Sequence, residues 1–378
     1  MFVAWRDLRF AKGRFVLMGT VVVLITLLVG LLSGLTAGLA RENTSAITGL
    51  PADHLAFAAP PGGQSVSFTN SQVERRAWAQ WAGQPGVRSA EPIGISTLNA
   101  TAGDRATEGD RTTAGDGSRS AAVSAFGVEP DSGIAPRGIG PGRLVLSEKA
   151  ADELGVRVGD MVRLGGGAVE GRVARIAGTA SYSHTPVVWT ALDDWQRLGH
   201  RGTDRGDQAT VIALRTDDSD GGIDLAAGDK AAGTETKSLD GALTAIGSYQ
   251  AENGSLQLMR GFLFVISALV IGAFFTVWTI QRAGDIAVLK ALGASTPYLL
   301  RDALGQALVM LAAGTAAGTG IAVAVGGLIS GGDVPFVLDP PTVLWPAAVM
   351  IALGALGAGL SVRRITAVDP LTALGSAR

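Results

Sequence analysis

Four long apolar runs divide the chain, and a long polar stretch separates the first run from the second. The runs cover residues 15–40, 259–281, 303–329 and 342–362. A helix rises 1.5 Å per residue, so each run is long enough to cross a hydrocarbon core of roughly 30 Å. The pattern therefore predicts four transmembrane helices, which we number in chain order.

The polar stretch, residues 41–258, contains no apolar run that could span a membrane, and it is too long for a loop. We expect it to form an extramembrane domain inserted between the first and second helices. Its pattern predicts a short helix at 71–82, with Trp78 and Trp81 facing inward, and strands at 87–98 and 121–128. The fold class is therefore an α-helical membrane protein with an inserted α+β domain.

Capping signals define the most regular part of this domain. Ser147 suits the N-cap of a helix that ends near Leu154, and Gly155 suits the left-handed turn after it. Residues 156–164 alternate as a strand would, and residues 181–198 predict a strand followed by a short helix. In contrast, residues 100–120 are a low-complexity polar run with little to bury, so we expect a mobile insertion there.

Lysine and arginine in the short polar segments predict the orientation. Residues 1–14 form a basic amphipathic segment suited to a membrane surface, and the segments 282–302 and 363–378 are also basic. The link at 330–341 carries acidic residues and no basic one. Because basic loops stay in the cytoplasm, both termini are expected to be cytoplasmic, with the inserted domain outside the cell.

The segment after the second run, RAGDIAVLKALGAS, is amphipathic. Its apolar residues recur at helical spacing, its charged residues can stay in water, and a glycine suits its end. The candidate residues of this segment are Arg282, Asp285, Ile286, Leu289, Lys290, Leu292 and Gly293. Thr296 and Pro297 then suit the start of another helix.

This segment resembles the cytoplasmic loop after the second membrane helix in ATP-binding-cassette (ABC) permeases of the MacB/FtsX type, although Asp285 stands where the family usually has glutamate. Residues 142–164 and 181–198 resemble the family's extracytoplasmic domain, and the tail with Asp369 and Pro370 resembles its basic tail. The resemblance implies a homodimeric permease whose loop docks on a separate ATPase, present in two copies. A merely solvated turn is the alternative for the loop.

The composition narrows the class of protein. Hydrophobic residues make up 47% of the chain and charged residues 17%, which is too apolar for an ordinary soluble protein. The net charge of -2 does not indicate nucleic acid as a partner, and the absence of cysteine excludes disulfides and thiolate chemistry. Phosphate-loop, zinc-protease and esterase motifs are missing, so we expect a non-catalytic subunit without an intrinsic cofactor, dependent on ATP only through its partner.

Candidate ligand residues lie where the inserted domain returns to the second helix. Tyr249, Glu252 and Met259 follow one another there, with the last two about two helical turns apart and so on one face. Tyrosine, histidine and methionine are all axial ligands of haem iron in proteins. The alternative is that Tyr249 is an interfacial anchor, Glu252 a solvated charge and Met259 a packing residue. Tyr182 and His184 form a second tier, and His184 could instead be a hydrogen-bonded surface histidine.

Length, helix number and the single outer domain make the chain most similar to the haem-exporting permeases of this family. That resemblance implies a plasma-membrane efflux permease that expels haem, its cargo, by mechanical transmission from the ATPase. Export of lipid, lipoprotein or peptide is an alternative, as is FtsX-like signalling to an outer cell-wall hydrolase.

Overall fold

The structure is a computed structural model. It describes residues 12–102, 119–199, 207–217, 223–281, 284, 288, 292–329 and 334–366. The chain divides into two compact units, a membrane unit of residues 1–39 with 254–378 and an outer unit of residues 40–253.

Helices form all of the regular structure described in the membrane unit, and strands dominate the outer unit. The helices are α1 (Lys12–Thr48), α2 (Arg75–Ala82), α3 (Glu148–Leu154), α4 (Leu192–Leu198), α5 (Leu225–Ala232), α6 (Leu239–Ala242), α7 (Gly247–Gln281), α8 (Thr296–Ile329) and α9 (Pro340–Thr366). The strands are β1 (His54–Ala58), β2 (Val73–Glu74), β3 (Val87–Ala102), β4 (Ser120–Val128), β5 (Arg143–Leu146), β6 (Met161–Leu164), β7 (Val169–Ile176), β8 (Ser181–Tyr182), β9 (Thr185–Ala191), β10 (Gln208–Ala209), β11 (Val211–Thr216) and β12 (Thr234–Ser238).

Four helices, α1, α7, α8 and α9, are long and apolar enough to cross a membrane. The predicted number and order of spans is therefore confirmed, with the outer unit inserted between the first two. Two helices extend beyond the predicted spans, because α1 continues past residue 40 to Thr48 and α7 begins at Gly247. Hydropathy marks only the apolar part of a helix, and these extensions are polar but contain no helix-breaking proline.

Small residues bring the membrane helices close together. A Cβ atom on Gly318 of α8 would lie 2.6 Å from the Val23 oxygen of α1, and one on Gly30 would lie 2.9 Å from Ala322 Cβ. These glycines therefore allow backbone approach that a larger residue would prevent.

The residues between α8 and α9 rest on the same face of α1. We call residues 334–338 the link segment. A Cβ on Gly34 or on Gly326 would overlap the Phe336 ring, and one on Gly38 would overlap the Pro335 carbonyl group. The Val337 nitrogen also donates a hydrogen bond to the Gly34 oxygen, at 3.1 Å. The link segment is thus held by shape, in depressions that glycine leaves on the helices.

One long strand, β3, organises the outer unit. It pairs with β4 along most of its length, with β11 through its first half and with β6 through its last three residues. The pairings β3-β4-β9-β5-β7-β6 and back to β3 form a closed loop of strands, while β11, β1 and β12 extend from β3 as an open sheet. Two pairs, β4–β9 and β5–β7, are parallel, as expected of a mixed α and β domain.

Two of the local predictions for this domain are confirmed. Trp78 and Trp81 of α2 are buried, and Trp81 donates to Thr234 Oγ1 at 3.0 Å. Ser147 caps α3 by accepting from the Ala150 nitrogen, and Gly155 ends it at φ 66°.

Other local predictions are corrected or remain untested. The strand predicted at 156–164 begins only at Met161, because Gly159 (φ 98°) and Asp160, which accepts from the Arg157 nitrogen, form a turn. The predicted mobile insertion at 100–120 starts too early, since β3 runs to Ala102, and its centre at 103–118 lies outside the described residues.

Several predicted cytoplasmic features also lie outside the described residues. These are most of the segment 1–14, the tail from 367 onwards, and Arg282, Asp285, Ile286, Leu289 and Lys290. In the segment that follows the second membrane helix, the structure describes Leu292, which is exposed, and Gly293, which has φ 95°. Thr296 begins α8, as predicted.

Candidate functional site

A tight hairpin brings a histidine to the ends of two long helices. The pairing of Ser181 with Pro186 and of Tyr182 with Thr185 leaves Ser183 and His184 as a two-residue turn between β8 and β9. Both turn residues have positive φ, 50° and 63°, as a type I′ turn requires. Glycine and asparagine are the usual residues there, so serine and histidine hold this conformation at a cost in backbone strain. We call Ser183 and His184 the hairpin tip.

Hydrogen bonds from α1 hold the hairpin in place. The Ser183 backbone nitrogen donates to the backbone oxygen of Asn43 at 3.0 Å. Two residues further along α1, Ser45 Oγ accepts from the Ser181 nitrogen at 2.9 Å. On the other side, Ser183 Oγ lies 2.9 Å from Ser248 Oγ, in the first turn of α7. The strained tip is thus fixed by polar contacts to the last turns of α1 and the first turn of α7.

The imidazole of His184 lies among acidic and amide side chains. Its Nε2 atom is 2.9 Å from Glu252 Oε1, 3.0 Å from Glu252 Oε2 and 2.8 Å from Asn43 Nδ2. Its Nδ1 atom is 3.7 Å from Glu42 Oε2, and Lys149 of α3 donates to the other oxygen of Glu42 at 2.7 Å. Two carboxylates, one ammonium and one imidazole therefore share the site.

Asn43 lies at the centre of this arrangement and is 1% exposed. Its Nδ2 donates to Glu252 Oε2 at 3.0 Å, and its Oδ1 accepts from Ser248 Oγ at 2.5 Å. We call Glu42, Asn43, His184, Ser248 and Glu252 the junction cluster. All five belong to the outer unit.

The predicted site residues occupy different environments. His184 and Glu252, which were predicted from separate parts of the chain, are in contact. Tyr249 is half-buried and packs against the core of the outer unit. Met259 lies further along α7, in the membrane unit, with a 48% exposed side chain.

Tyr182 belongs to the hydrophobic core rather than to the junction cluster. Its ring packs edge-on against Phe68 and Phe126, with centroids 5.7 and 5.6 Å away. Burial raises the pKa of its phenol well above the usual value, so the hydroxyl stays protonated well into the alkaline range. Tyr182 therefore supports the hairpin by packing.

Neither Asn43 nor Ser248 was predicted as a site residue. Asn43 lies beyond the residue at which hydropathy predicted the first helix to end, and Ser248 lies in a polar stretch with no motif. The available signal was weak. If the first helix continued through RENTSAIT, residues 41–48, Asn43 would lie about one turn beyond the predicted end of the span. The pairing with a distant hairpin is a property of the tertiary fold.

The donors of the junction cluster are one imidazole and two carboxylates. Among the described residues, no group of three or more His, Cys, Asp and Glu side chains is arranged to hold a metal ion. Haem iron already has four porphyrin nitrogens and needs only one or two protein ligands, for which an imidazole nitrogen is well suited. His184 and Glu252 are 31% and 41% exposed, so both are accessible to a ligand.

Comparison with protein families covers most of the chain. Residues 15–227 match the MacB-like periplasmic core domain, and residues 258–370 match the FtsX-like permease C-terminal region. Two solved structures are similar to part of this chain, each with a TM-score of 0.33. One is the periplasmic region of MacB from Actinobacillus actinomycetemcomitans, at 11% identity over 51% of this chain and 92% of that one. The other is the extracellular domain of the transporter YknZ from Gram-positive bacteria, at 14% identity over 49% of this chain and 98% of that one.

Full-length relatives are more informative. Proteins assigned as the hemin transport system permease HrtB are 26% identical in Staphylococcus haemolyticus and 24% identical in Staphylococcus epidermidis, over 99% of each chain. An uncharacterized ABC transporter permease of Mycobacterium tuberculosis is 25% identical over 99% of both chains. The family predicted from the sequence is confirmed: this chain belongs to the ABC transporter permeases with a MacB-like periplasmic core domain and an FtsX-like C-terminal region.

Proposed function

We propose that this chain is the permease subunit of an ABC efflux transporter that expels haem from the plasma membrane. The observation that carries the proposal is the junction cluster, in which an accessible imidazole and a carboxylate meet at the ends of the first two long helices. The end-to-end similarity to permeases named for hemin transport supports the same cargo. The membrane helices and the outer domain supply the framework that export requires.

We assign ligand roles to the two residues in contact. His184 Nε2 is the axial ligand to haem iron, and the Glu252 carboxylate is the second polar group at the iron. Tyr249 and Met259, on the same helix as Glu252, contribute to the porphyrin-binding surface. A hydrophobic porphyrin enters sideways from the outer leaflet and leaves outward.

In this proposal the energy for export comes from ATP hydrolysis in a partner subunit. The segment that contains Arg282, Lys290 and Leu292 docks on a separate ATPase, and its motion passes through the first two membrane helices to the outer domain. Two permease copies and two ATPase copies form the transporter, because symmetric assembly gives each ATPase an equivalent contact. Both termini lie in the cytoplasm, in agreement with the basic short loops.

A haemin titration of the purified full-length chain in lipid nanodiscs tests the cargo. Wild type is expected to bind saturably with a defined Soret band, whereas His184→Gln shifts the band and weakens binding by about tenfold or more, since iron loses a strong ligand. Glu252→Gln, Tyr249→Phe and Met259→Ala are expected to have smaller effects. Binding that does not saturate and is indifferent to all four substitutions would contradict haem export.

The alternative with a structural observation behind it is a relay to an outer cell-wall hydrolase. A groove in the outer unit is rich in hydroxyl and amide groups, suited to a polar partner. Its lining includes Ser71, Gln72, Ser96, Thr97, Gln196 and Gln208. Failure of the wild type to bind haemin, together with stable complex formation between the full-length chain and such a hydrolase, would favour this function. Export of lipid, lipoprotein or peptide is the third candidate.

A further inference from the structure

Asn43 is the side chain that connects all parts of the junction cluster. It belongs to α1, donates to Glu252 of α7, accepts from Ser248 of α7 and contacts His184 of the hairpin tip. An amide is required for this set, because it carries a donor and an acceptor on one short side chain. A carboxylate would offer acceptors only, and an aliphatic side chain would offer neither.

The contacts among three atoms cannot all be satisfied at once. Asn43 Nδ2 is 2.8 Å from His184 Nε2, and Glu252 Oε2 is 3.0 Å from both. Nε2 has either one hydrogen or one lone pair in the ring plane. With the lone pair it can accept from Asn43 but faces the carboxylate, and with the hydrogen it can donate to Glu252 but faces the amide hydrogens. The imidazole is therefore held between two competing partners.

A ligand that takes the Nε2 lone pair must break this arrangement. A nitrogen that is coordinated to iron cannot accept a hydrogen bond from Asn43, and Glu252 takes any proton that Nε2 carries. The two contacts of Nε2, with Asn43 and with Glu252, are then lost. They act beside the bonds of Ser183 to Asn43 and Ser248, so their loss weakens the hold of α1 and α7 on a strained hairpin tip.

We propose that Asn43, with His184 and Glu252, determines which porphyrins loosen the hairpin tip of this permease. The cluster acts as a latch on the empty site, and only a porphyrin whose metal can take the lone pair of Nε2 opens it. Metal-free porphyrin has the same ring and propionates but no coordinating atom for the imidazole, so it leaves the latch closed. This inference rests on the proposed function and adds the basis of cargo selection to it.

The test compares porphyrins on the full-length protein in nanodiscs. The probes are haemin, gallium protoporphyrin, which offers an axial position without redox chemistry, and metal-free protoporphyrin. Wild type is expected to bind the two metal porphyrins about tenfold or more tightly than the metal-free one. Asn43→Leu removes both hydrogen bonds of the amide, so iron no longer competes with Asn43 for Nε2, and the ratio of haemin to metal-free affinity is expected to rise by about threefold or more.

Two further variants make the result specific. Asn43→Asp keeps the size of the side chain and the acceptor for Ser248 but repels Glu252, so it should also open the latch. Ser45→Ala is the matched control. Ser45 lies on the same helix and holds the same hairpin through Ser181, yet its described contacts do not include His184 or Glu252. It should keep the wild-type preference for metal porphyrins.

The movement itself can be followed by cross-linking, because the chain has no cysteine. Ser183 Oγ and Ser248 Oγ are 2.9 Å apart, which suits a disulfide between Ser183→Cys and Ser248→Cys. The rate of disulfide formation reports a closed tip. Haemin and gallium protoporphyrin should slow it, whereas metal-free protoporphyrin should not.

The outcomes separate the two proposals. If the wild type binds no porphyrin saturably, haem export and the latch both fail. If it binds haemin but Asn43→Leu and Asn43→Asp keep the wild-type ratio between haemin and metal-free porphyrin, haem export stands and the latch is wrong. If Asn43→Leu loses affinity for all porphyrins equally, Asn43 has a structural role only and the latch is again wrong.

Discussion

Two non-helical segments rest on α1, and they are held there by opposite means. The link segment lies in depressions at Gly34 and Gly38 and is entirely apolar, so shape holds it. The hairpin tip lies against Asn43 and is held by hydrogen bonds between polar groups. Contacts of shape depend on the absence of a side chain, whereas polar contacts can be exchanged for other partners. The difference indicates a permanent joint in the membrane unit and a reversible one in the outer unit.

The strongest test of this comparison is Gly38→Ala. The added methyl group would overlap the backbone carbonyl of Pro335, which cannot rotate away as a side chain could. We expect a loss of about 2 to 3 kcal/mol in stability, at the upper end of overpacking costs, measured by thermal unfolding in detergent. Gly320→Ala is the control.

A Cβ on Gly320 meets no atom within 4 Å, and alanine favours helix over glycine. The control should therefore be neutral or slightly stabilising. If Gly38→Ala behaves like Gly320→Ala, the link segment is not held by shape and the contrast with the hairpin tip disappears.

An intermediate effect is expected from Ser45→Ala, which acts on the reversible joint. The substitution removes the hydroxyl that both accepts from the Ser181 nitrogen and donates to the Ser181 oxygen. We expect a loss of about 1 to 2 kcal/mol, typical of a hydrogen-bond partner removed from a partly buried amide. Amide hydrogen exchange is the measurement, with faster exchange confined to residues near 181–185.

The link segment should keep its exchange rate in this variant, because it makes no polar side-chain contact that the substitution alters. Equal acceleration at residues 334–338 would show that the two joints are coupled and would weaken the distinction between them.

The smallest effect is a pH dependence that only the hairpin should show. Burial raises the pKa of Tyr182 above its unfolded value of about 10, so the folded state keeps the proton longer. Stability from this group is fully present below about pH 10 and is lost as pH rises further, by at most about 1.4 kcal/mol per pH unit. Tyr182→Phe should remove this part of the alkaline slope.

Thermal unfolding between pH 9 and 11 in both proteins measures that difference. The link segment has no titratable side chain, so the effect of Gly38→Ala should be the same across this range. An alkaline slope identical in wild type and Tyr182→Phe would mean that the phenol ionises freely and is not buried in solution.

The sequence predicted these two joints to different extents. Gly30, Gly34 and Gly38 recur every four residues, a spacing that permits close packing, but nothing local identifies residues 334–338 as a partner. His184 and Glu252 were each predicted as candidates from residue chemistry. Their contact depends on a two-residue turn with unfavourable φ values. No turn motif in the sequence predicts this turn. Asn43 was missed because hydropathy does not follow a helix beyond its apolar part.

Local capping was the most predictable feature of the outer unit, and long-range pairing the least. Ser147 and Gly155 act through groups within a few residues, so their roles follow from the sequence alone. The closure of the strand loop depends on β3 meeting β6, which lies far along the chain. Periodicity predicts that a strand exists but does not select its neighbours.

The position of β1 also limits the order in which the outer unit can fold. Its residues 54–58 pair with β11 and with β12, the last strand before α7. Nearly the whole outer domain is therefore synthesised before β1 can pair with both of its neighbours. Until β12 has been synthesised, one edge of β1 has no strand to pair with, and an exposed strand edge makes an incomplete chain prone to aggregate.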